Sequence, residues 1–531
     1  MVKIRIGRLS PQTNIYLFLL GLFLIVVSGS FSQVFEKLGM GGGFVSYRYM
    51  DFDPSRASTN LPLGYQIENF VVSRMSDSYL FGTIYSVAVF VICSFLMMRC
   101  WMLIGNERRT AWLPLLFWML CPLVTMTAVD NLLEMPQTMF VLLALNMLLR
   151  SNIARGKYHA ARIKNPGPDA KKFLYRSIMF DMAAGLSMLM AFVTKGFTGI
   201  YLVLFPLVWW FFNRRESVKY PLMDIAVILL SYQLFSLIIT AILPHTREDV
   251  KSYIFNTLIG GFFTQKTVES HLFILWRLFK QIWLMVLVYA VVTLGRIGNG
   301  HMLRHVFYWK NLRTLNPTDL RNARLAWIFI VMGLVTMVPL CITLKQQEYF
   351  LITLLPMFAI GVSCYVNSIA VSRLNNITPL MHALFAFVAV LSLAVGCLIN
   401  LNKAVNMGGS DDSVGEIQRI VPHLEDGETV TVTPEMMTDK VAIYYFRRYK
   451  NVHFDTSYVH PHMVSMFHDL KNLRLPSHYK KLEMQSSRYF LYVKEAEEEW
   501  IADSVAAVEQ LAREAYEDSV RQAEKHAIRG L

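Results

Sequence analysis

Residues 80–104 read LFGTIYSVAVFVICSFLMMRCWMLI, and Arg99 is the only charged residue among them. The hydrocarbon core of a bilayer is about 30 Å thick and needs roughly 20 apolar residues of helix. This run therefore predicts a transmembrane helix. Similar apolar runs bring the total to about eleven candidate spans, the others lying at roughly 15–34, 111–128, 135–149, 178–194, 197–212, 221–243, 274–295, 325–343, 349–369 and 380–401.

The composition of the 531 residues excludes a soluble protein. Hydrophobic residues make up 54% of the chain and charged residues 17%, whereas soluble domains average about 45–50% and about 25%. The 13% of aromatic residues excludes a disordered chain. The sequence thus predicts an all-α polytopic membrane protein, and membrane lipids are its first expected partners.

The net charge of +13 is explained by the loops between the spans rather than by nucleic-acid binding. With the N-terminus inside, the predicted inner loops hold most Lys and Arg residues, and the predicted outer loops hold most of the loop acids. Basic loops stay on the cytoplasmic side of a membrane. An odd number of spans then places the C-terminus outside, in the periplasm if the membrane is a bacterial inner membrane.

The composition becomes that of a soluble domain after Asn402. We expect a membrane domain over residues 1–402, a linker over 403–413 and a small periplasmic α/β domain over 414–531. Residues 428–433, 452–455 and 488–493 are predicted strands, 434–450 a helix, and 496–526 a long amphipathic helix. The basic segment 150–177 is predicted to be a cytoplasmic loop that contacts anionic lipids.

The first predicted outer loop, residues 36–78, is long for a connection between two spans. Loops of this length are usually functional, although a structural cap over the bundle is the alternative. It contains Gly41-Gly42-Gly43, the basic residue Arg48, and two acids, Asp51 and Asp53.

A second acidic cluster, Asp130, Asn131 and Glu134, lies in a predicted outer turn. Two carboxylates at one membrane face can bind a sugar hydroxyl or a divalent cation. They can equally cap the next helix, because a helix N-terminus favours acids. The sequence leaves both readings open.

Lys195 and Lys345 stand in tight outer turns, against the inward bias of basic residues, and Tyr349 follows Lys345 closely. A lysine at a membrane edge commonly extends its amine to the interface without a ligand. Two such lysines opposite an acidic loop instead favour a site for an anionic lipid headgroup such as a phosphate.

No Walker, dinucleotide-binding, HExxH or GxSxG motif occurs, so no cofactor is expected. The six cysteines form no CxxC pair or Cys/His cluster, so neither a disulfide framework nor a zinc site is expected.

Four segments, in this order along residues 15–400, resemble the GT-C membrane glycosyltransferases, in particular the family-39-like group of protein O-mannosyltransferases and lipid A aminoarabinose transferases. They are LPLGY at 61–65, DNLLE at 130–134, FVTKG at 192–196 and KQQEYFLITLLP at 345–356.

The resemblance implies transfer of a sugar from a polyprenyl-phosphate donor to a protein, lipid or glycan acceptor at the outer membrane face. It implies that Lys195 and Lys345 hold the donor phosphate and stabilise it as it leaves. An acid of the first outer loop would act as base on the acceptor. We take Asp53, then Asp51, as the candidate base. The candidate substrate ligands, beside the two lysines, are Tyr349, Asp130, Asn131, Glu134 and, from the first outer loop, Arg48.

The sequence departs from the family at the position of its usual acid, where Gly41-Gly42-Gly43 stands. Either Asp51, Asp53 or Glu36 supplies the carboxylate, or the chain is a non-catalytic relative that binds polyprenyl phosphate. A transporter of lipid-linked sugars is a third interpretation, which the scarcity of charges in mid-span disfavours.

Overall fold

The structure is a computed structural model. It describes residues 13–24, 79–127, 133–164, 168–213, 217–242, 251, 255, 270–297, 317–342, 346, 348–375, 379–405, 413–433, 436–439, 442–443, 446, 449–466, 479–484 and 488–494. The chain divides into two compact units, Met1–Val405 and Asn406–Leu531.

The first unit is a bundle of α-helices. In chain order its described helices are α1 Thr13–Leu24, α2 Tyr79–Leu103, α3 Trp112–Met119, α4 Pro122–Thr127, α5 Glu134–Lys164, α6 Pro168–Lys195, α7 Phe205–Asn213, α8 Lys219–Ile242, α9 Phe273–Ile297, α10 Pro317–Ile342, α11 Leu355–Asn375 and α12 Pro379–Val405.

Within the described residues, six helices are long and apolar enough to cross a membrane, and shorter apolar helices accompany them. The six are α2, α6, α8, α9, α10 and α11. This arrangement confirms the predicted multi-pass, mainly α-helical membrane fold. Large apolar side chains on α8, α9 and α12 are exposed, for example Leu230 and Leu294, which is expected of helices that face lipid.

The core of the bundle lies around α11. All residues from 351 to 365 are buried, because α11 packs between α10, α3 and α9. Gly361 allows a close approach, since a β-carbon there would lie 3.0 Å from the Ala326 carbonyl oxygen of α10. An apolar helix without a polar face is expected at the centre of such a bundle.

The predicted span 111–128 is broken into α3 and α4. Pro122 begins α4 and has no backbone N–H to donate. The backbone N–H of Leu123 donates instead to Oε1 of Gln281 on α9, at 2.9 Å. A break at membrane depth is tolerated when neighbouring protein groups satisfy the freed backbone in this way.

The segment 150–177 is not the predicted loop: α5 continues to Lys164, and α6 begins at Pro168. Polar contacts between the two helices explain the extension. The Ser151 and Ser177 hydroxyls lie 2.8 Å apart. Hydropathy detects only the apolar part of each helix, so the sequence predicted both helices to be shorter than they are.

A buried charge cluster, which we call the Arg155 cluster, joins α5, α6 and α8 near their predicted inner ends. The Arg155 guanidinium forms an ion pair with Asp224 and lies 3.8 Å from Asp181. It also donates to the Tyr220 carbonyl oxygen at 3.0 Å and to the Ser177 hydroxyl at 3.2 Å. One cation thus faces two carboxylates inside the bundle.

The first described helix packs against the last helix of the bundle. A β-carbon added at Gly21 of α1 would lie 2.5 Å from the backbone nitrogen of Leu393 on α12. The hydroxyl of Ser392 is equally close to that position. Glycine therefore permits a backbone contact that no larger residue would allow.

The second unit contains α13, Ser413–Ile420, and a five-stranded sheet. The sheet order is β2-β1-β3-β5-β4, with β1 parallel to β2 and β3, and β5 antiparallel to β3 and β4. The strands are β1 Thr429–Val432, β2 His453–Asp455, β3 His462–Met466, β4 Tyr479–Lys481 and β5 Tyr489–Lys494. The predicted small α/β domain is confirmed, with β3 and β4 in addition to the predicted strands.

Polar contacts fasten α13 and the β2–β3 connection to this sheet. The Glu416 carboxylate accepts hydrogen bonds from the backbone N–H groups of Arg488 and Tyr489, at 2.9 and 3.1 Å. Hydrogen bonds from Ser457 and His460 hold the pKa of Asp455 well below its usual range. Of the predicted helix 434–450, the described residues form a 3-10 turn, Met436–Thr438, and are α-helical at positions 442, 443, 446, 449 and 450. The predicted helix 496–526 lies outside the described residues.

Candidate active site

Glu134 and Lys195 form an ion pair at the predicted outer end of the bundle. Glu134 begins α5 and Lys195 ends α6, and these helices are adjacent and antiparallel. The Lys195 ammonium lies 2.6 Å from Oε1 of Glu134, with the two side chains 12% and 1% exposed. Each charge is at the helix end that favours it, because an α-helix is partly positive at its N-terminus and partly negative at its C-terminus.

The ring of Tyr349 is the third part of this site. Tyr349 lies in the 3-10 turn Glu348–Leu351, and the Lys195 nitrogen is 4.5 Å from the ring centre. An ammonium has three N–H donors. Glu134 accepts from one of these donors, so the ammonium has the capacity to donate to a further acceptor such as a ligand oxygen.

The turn that carries Lys195 has a fixed backbone. Gly196 has φ +102°, a conformation that side chains strongly disfavour. Its N–H donates to the Phe192 carbonyl oxygen at 2.6 Å. Three residues later, a β-carbon at Gly199 would come within 2.6 Å of the Ala191 side chain. These two glycines explain why the chain reverses immediately after Lys195.

Gln137, one turn after Glu134 on α5, holds the same turn from the other side. Its Nε2 donates to the carbonyl oxygens of Ala191 and Gly196, at 3.2 and 3.1 Å. Its Oε1 accepts from the hydroxyl of Thr198 at 3.1 Å. Gln137 is completely buried.

Arg277, near the start of α9, holds the segment that leads to Tyr349. It donates to the Gln346 carbonyl oxygen at 2.6 Å and lies 3.6 Å from the Glu348 carboxylate. Gln346 in turn donates to the carbonyl oxygen of His271 at 2.6 Å. The Tyr201 hydroxyl adds a bond to the Thr353 carbonyl oxygen at 2.9 Å, just beyond the Tyr349 turn.

Three of the predicted site residues, Glu134, Lys195 and Tyr349, are thus brought into contact. The remaining predicted site residues lie outside the described residues: Arg48, Asp51, Asp53, Asp130, Asn131 and Lys345. Lys345 precedes Gln346, whose carbonyl oxygen Arg277 holds.

Sequence reasoning did not identify Gln137, Arg277 or Thr198. Arg277 had a usable signal, since it interrupts the apolar run 274–295. Gln137 and Thr198 had none, because a neutral polar residue in a helical stretch has no distinctive pattern. Their partners become known only from the packing of α5 against α6.

Metal binding at the site has limited support from side chains. Among the described residues, no group of three or more His, Cys, Asp and Glu side chains is arranged to hold a metal ion. Glu134 supplies a single carboxylate, and its Oε2 has no hydrogen-bond partner within the described part of the chain. The Lys195 ammonium already neutralises that carboxylate.

This arrangement of helices matches solved structures at the level of the fold, which confirms the predicted all-α polytopic fold class. Two solved structures with this fold are of ArnT from Cupriavidus metallidurans. The structure bound to undecaprenyl phosphate has a TM-score of 0.53 and 11% identity, and the match covers 83% of this chain and 88% of that chain. The apo structure has a TM-score of 0.52 and 12% identity, with coverage of 89% and 92%.

Sequence comparisons add nothing to this result. No protein-family model matches the chain, and a comparison with curated proteins gives no significant match. At 11–12% identity the likeness to ArnT establishes the fold alone.

Proposed function

We propose that this chain is a membrane glycosyltransferase that transfers a sugar from a polyprenyl-phosphate donor to a protein, lipid or glycan acceptor. The observation that carries the proposal is the buried Lys195 ammonium, held by Glu134 and the ring of Tyr349 at one end of the bundle. The fold supports it, because ArnT of the same fold is described bound to undecaprenyl phosphate.

In this proposal Lys195 and Lys345 bind the donor phosphate. During transfer the bond between the sugar anomeric carbon and the phosphate oxygen breaks, and the phosphate keeps the electron pair. Fixed positive charges placed where this negative charge develops stabilise the transition state. Glu134 keeps Lys195 from being an isolated charge in a low-dielectric site when no donor is bound.

The acceptor hydroxyl forms the new bond to the anomeric carbon and gives its proton to a carboxylate. We propose Asp53 as this base, with Asp51 as the second choice. Pro54 restricts Asp53 to an extended backbone, and in an extended Asp-Phe-Asp segment the two carboxylates point to opposite sides. Only one of them then faces the donor.

We also propose the orientation and domain arrangement that the sequence predicts. The N-terminus is cytoplasmic, the membrane domain covers residues 1–402, and the linker 403–413 leads to a periplasmic domain at 414–531. The Glu134–Lys195 end of the bundle then faces the periplasm of an inner membrane.

Donor binding is the first test. The full chain in lipid nanodiscs is titrated with undecaprenyl phosphate, and Lys195→Ala and Lys345→Ala are compared with Lys280→Ala. Lys280 is exposed on α9 and lies over the ring of Trp276, so it is a matched control at the lipid surface. We expect each site variant to lose at least about 30-fold in affinity, the equivalent of roughly 2 kcal/mol. Equal affinities in all three variants would contradict the proposed phosphate site.

The second test separates the enzyme from a non-catalytic relative, which Gly41-Gly42-Gly43 at the position of the usual acid favours. Membranes with Asp53→Asn, Asp51→Asn and Glu36→Gln are assayed for sugar transfer and for donor binding. Loss of transfer with retained binding in one variant identifies the base. If the wild-type chain binds undecaprenyl phosphate but transfers no sugar from any polyprenyl-phosphate donor, the non-catalytic function replaces the enzyme.

A further inference from the structure

Gln137 contacts the chain on both sides of Lys195. Ala191 lies one helical turn before Lys195, and Gly196 follows it directly. The Gln137 amide nitrogen donates to the carbonyl oxygens of both residues, at 3.2 and 3.1 Å. One side chain of α5 therefore clamps the end of α6 around the lysine.

The Gln137 side chain supplies hydrogen-bond donors to backbone carbonyl groups at the end of α6. The last carbonyl groups of an α-helix have no partner within the helix, and a buried carbonyl without a partner is costly. Gly196 turns the chain at φ +102°, so its carbonyl oxygen leaves the helical path and meets Gln137. The hydroxyl of Thr198 occupies the Gln137 carbonyl oxygen at 3.1 Å, which fixes the orientation of the amide.

Gln137 and Glu134 are three positions apart on α5, so they lie on the same face of that helix. Gln137, which fixes the backbone around Lys195, therefore lies on the same helix turn as Glu134, whose carboxylate binds the Lys195 ammonium. The contacts that position the ammonium relative to Glu134 therefore both come from the first turn of α5.

We propose that Gln137 is a positioning residue for donor binding: it holds the Lys195 turn against α5 so that the ammonium stays between Glu134, Tyr349 and the donor phosphate. The inference rests on the proposed function of Lys195 as a phosphate ligand. If Gln137 served only the stability of the bundle, its replacement would not affect Lys195 more than it affects other lysines.

The first experiment measures the ammonium directly, without donor. The full chain in nanodiscs is treated with a limiting amount of formaldehyde and cyanoborohydride, and methylation of Lys195 is followed by mass spectrometry with exposed Lys280 as the internal reference. In Gln137→Met, which keeps the side-chain volume but removes both donors, we expect the Lys195 rate relative to Lys280 to rise by about tenfold. An unchanged ratio would overturn the inference.

Thr198→Val supplies a milder variant if Gln137→Met folds poorly. It removes one hydrogen bond to the Gln137 amide and keeps the two that Gln137 donates. We expect a rise in the relative Lys195 rate of about threefold, between wild type and Gln137→Met. No rise in Thr198→Val would also count against the clamp.

The second experiment is a double-mutant cycle on undecaprenyl phosphate affinity. Gln137→Met should weaken binding about tenfold in the wild-type background and by less than about twofold in the Lys195→Ala background, because its effect passes through Lys195. An equal loss in both backgrounds would show a general structural role and overturn the inference. If wild type does not bind undecaprenyl phosphate, the proposed function fails, and the methylation ratio still decides whether Gln137 positions Lys195.

Discussion

Lys195 and Glu134 are joined by an ion pair of 2.6 Å between the last residue of α6 and the first residue of α5. The pair is almost fully buried, and Tyr349 covers one side of the ammonium. An ion pair in this environment stabilises the fold only while both partners are present. Replacing only one of the two residues should therefore cost more stability than the same change in a surface ion pair.

Lys195→Met should destabilise the membrane domain by about 3–5 kcal/mol, because the Glu134 carboxylate would be left buried without its cation. The double variant Lys195→Met with Glu134→Gln should recover most of that loss, since no uncompensated charge remains. Thermal unfolding of the full chain in detergent measures the difference. A double variant no more stable than Lys195→Met would show that the pair is not what stabilises this end of the bundle.

Gly196→Ala should destabilise the Lys195 turn by about 1–3 kcal/mol, because a β-carbon is strained at φ +102°. Gly156→Ala is the matched control. Gly156 lies in α5 and has no neighbouring atom within 4 Å of an added β-carbon, so alanine there should stabilise the chain by about 0.4–1 kcal/mol. Resistance to proteolysis at increasing temperature reports both changes. Equal behaviour of the two variants would refute the argument from backbone conformation.

In the Arg155 cluster, Arg155→Met should be far more damaging than Asp181→Asn. The first change leaves two buried carboxylates without their cation, a loss of about 3–5 kcal/mol. The second removes the more distant carboxylate, at 3.8 Å, and leaves the Arg155–Asp224 pair. The yield of folded protein after detergent extraction, together with its unfolding temperature, measures the order. The reverse order would mean that Asp181 is the principal partner of Arg155.

Orientation can be tested with reporters. Alkaline phosphatase fused after Leu531 should be active, because the proposed C-terminus is periplasmic, and a fusion after Arg215 in a predicted inner loop should be inactive. Green fluorescent protein at the same positions should give the opposite pattern. Fluorescence of the Leu531 fusion would require a different number of spans.

Because of the Asp455 carboxylate, we expect the stability of the second unit to depend on pH. Its pKa in the folded chain is held below the unfolded value of about 3.9, so its contribution to stability is fully present above that value. The contribution is lost as the pH falls through the folded pKa. Hydrogen exchange of the β2 amides in the full chain should show a constant difference between wild type and Asp455→Asn from pH 7 to 5. The difference should shrink below about pH 4, and a constant difference down to pH 3 would contradict this origin.

The long apolar helices were predictable because length and hydropathy alone define a membrane span. The predicted span 80–104 and the observed helix Tyr79–Leu103 differ by one residue at each end. The contact of Glu134, Lys195 and Tyr349 was predictable as a grouping, since all three were assigned to the outer end of the bundle. The pairing itself was not, because it depends on which helices are neighbours.

The unpredicted features share a dependence on long-range contacts. The break at Pro122 requires Gln281 from α9 to accept the Leu123 N–H, and nothing near residue 122 in the sequence reveals this partner. The continuation of α5 past Arg150 depends on the Arg155 cluster, in which three helices contribute. Polar side chains that contact one another inside a bundle lower the local hydropathy, so a prediction from the sequence assigns them to a loop.

The contact of Gly21 with Ser392 and Leu393 places a demand on biosynthesis. Ser392 is 371 residues downstream of Gly21, and at a synthesis rate of about 5–20 residues per second the ribosome needs roughly 20 to 70 seconds to reach it. During that time the glycine face of α1 has no α12 to pack against. The contact between α1 and α12 thus forms only after the described helices that lie between them in the chain have been synthesised.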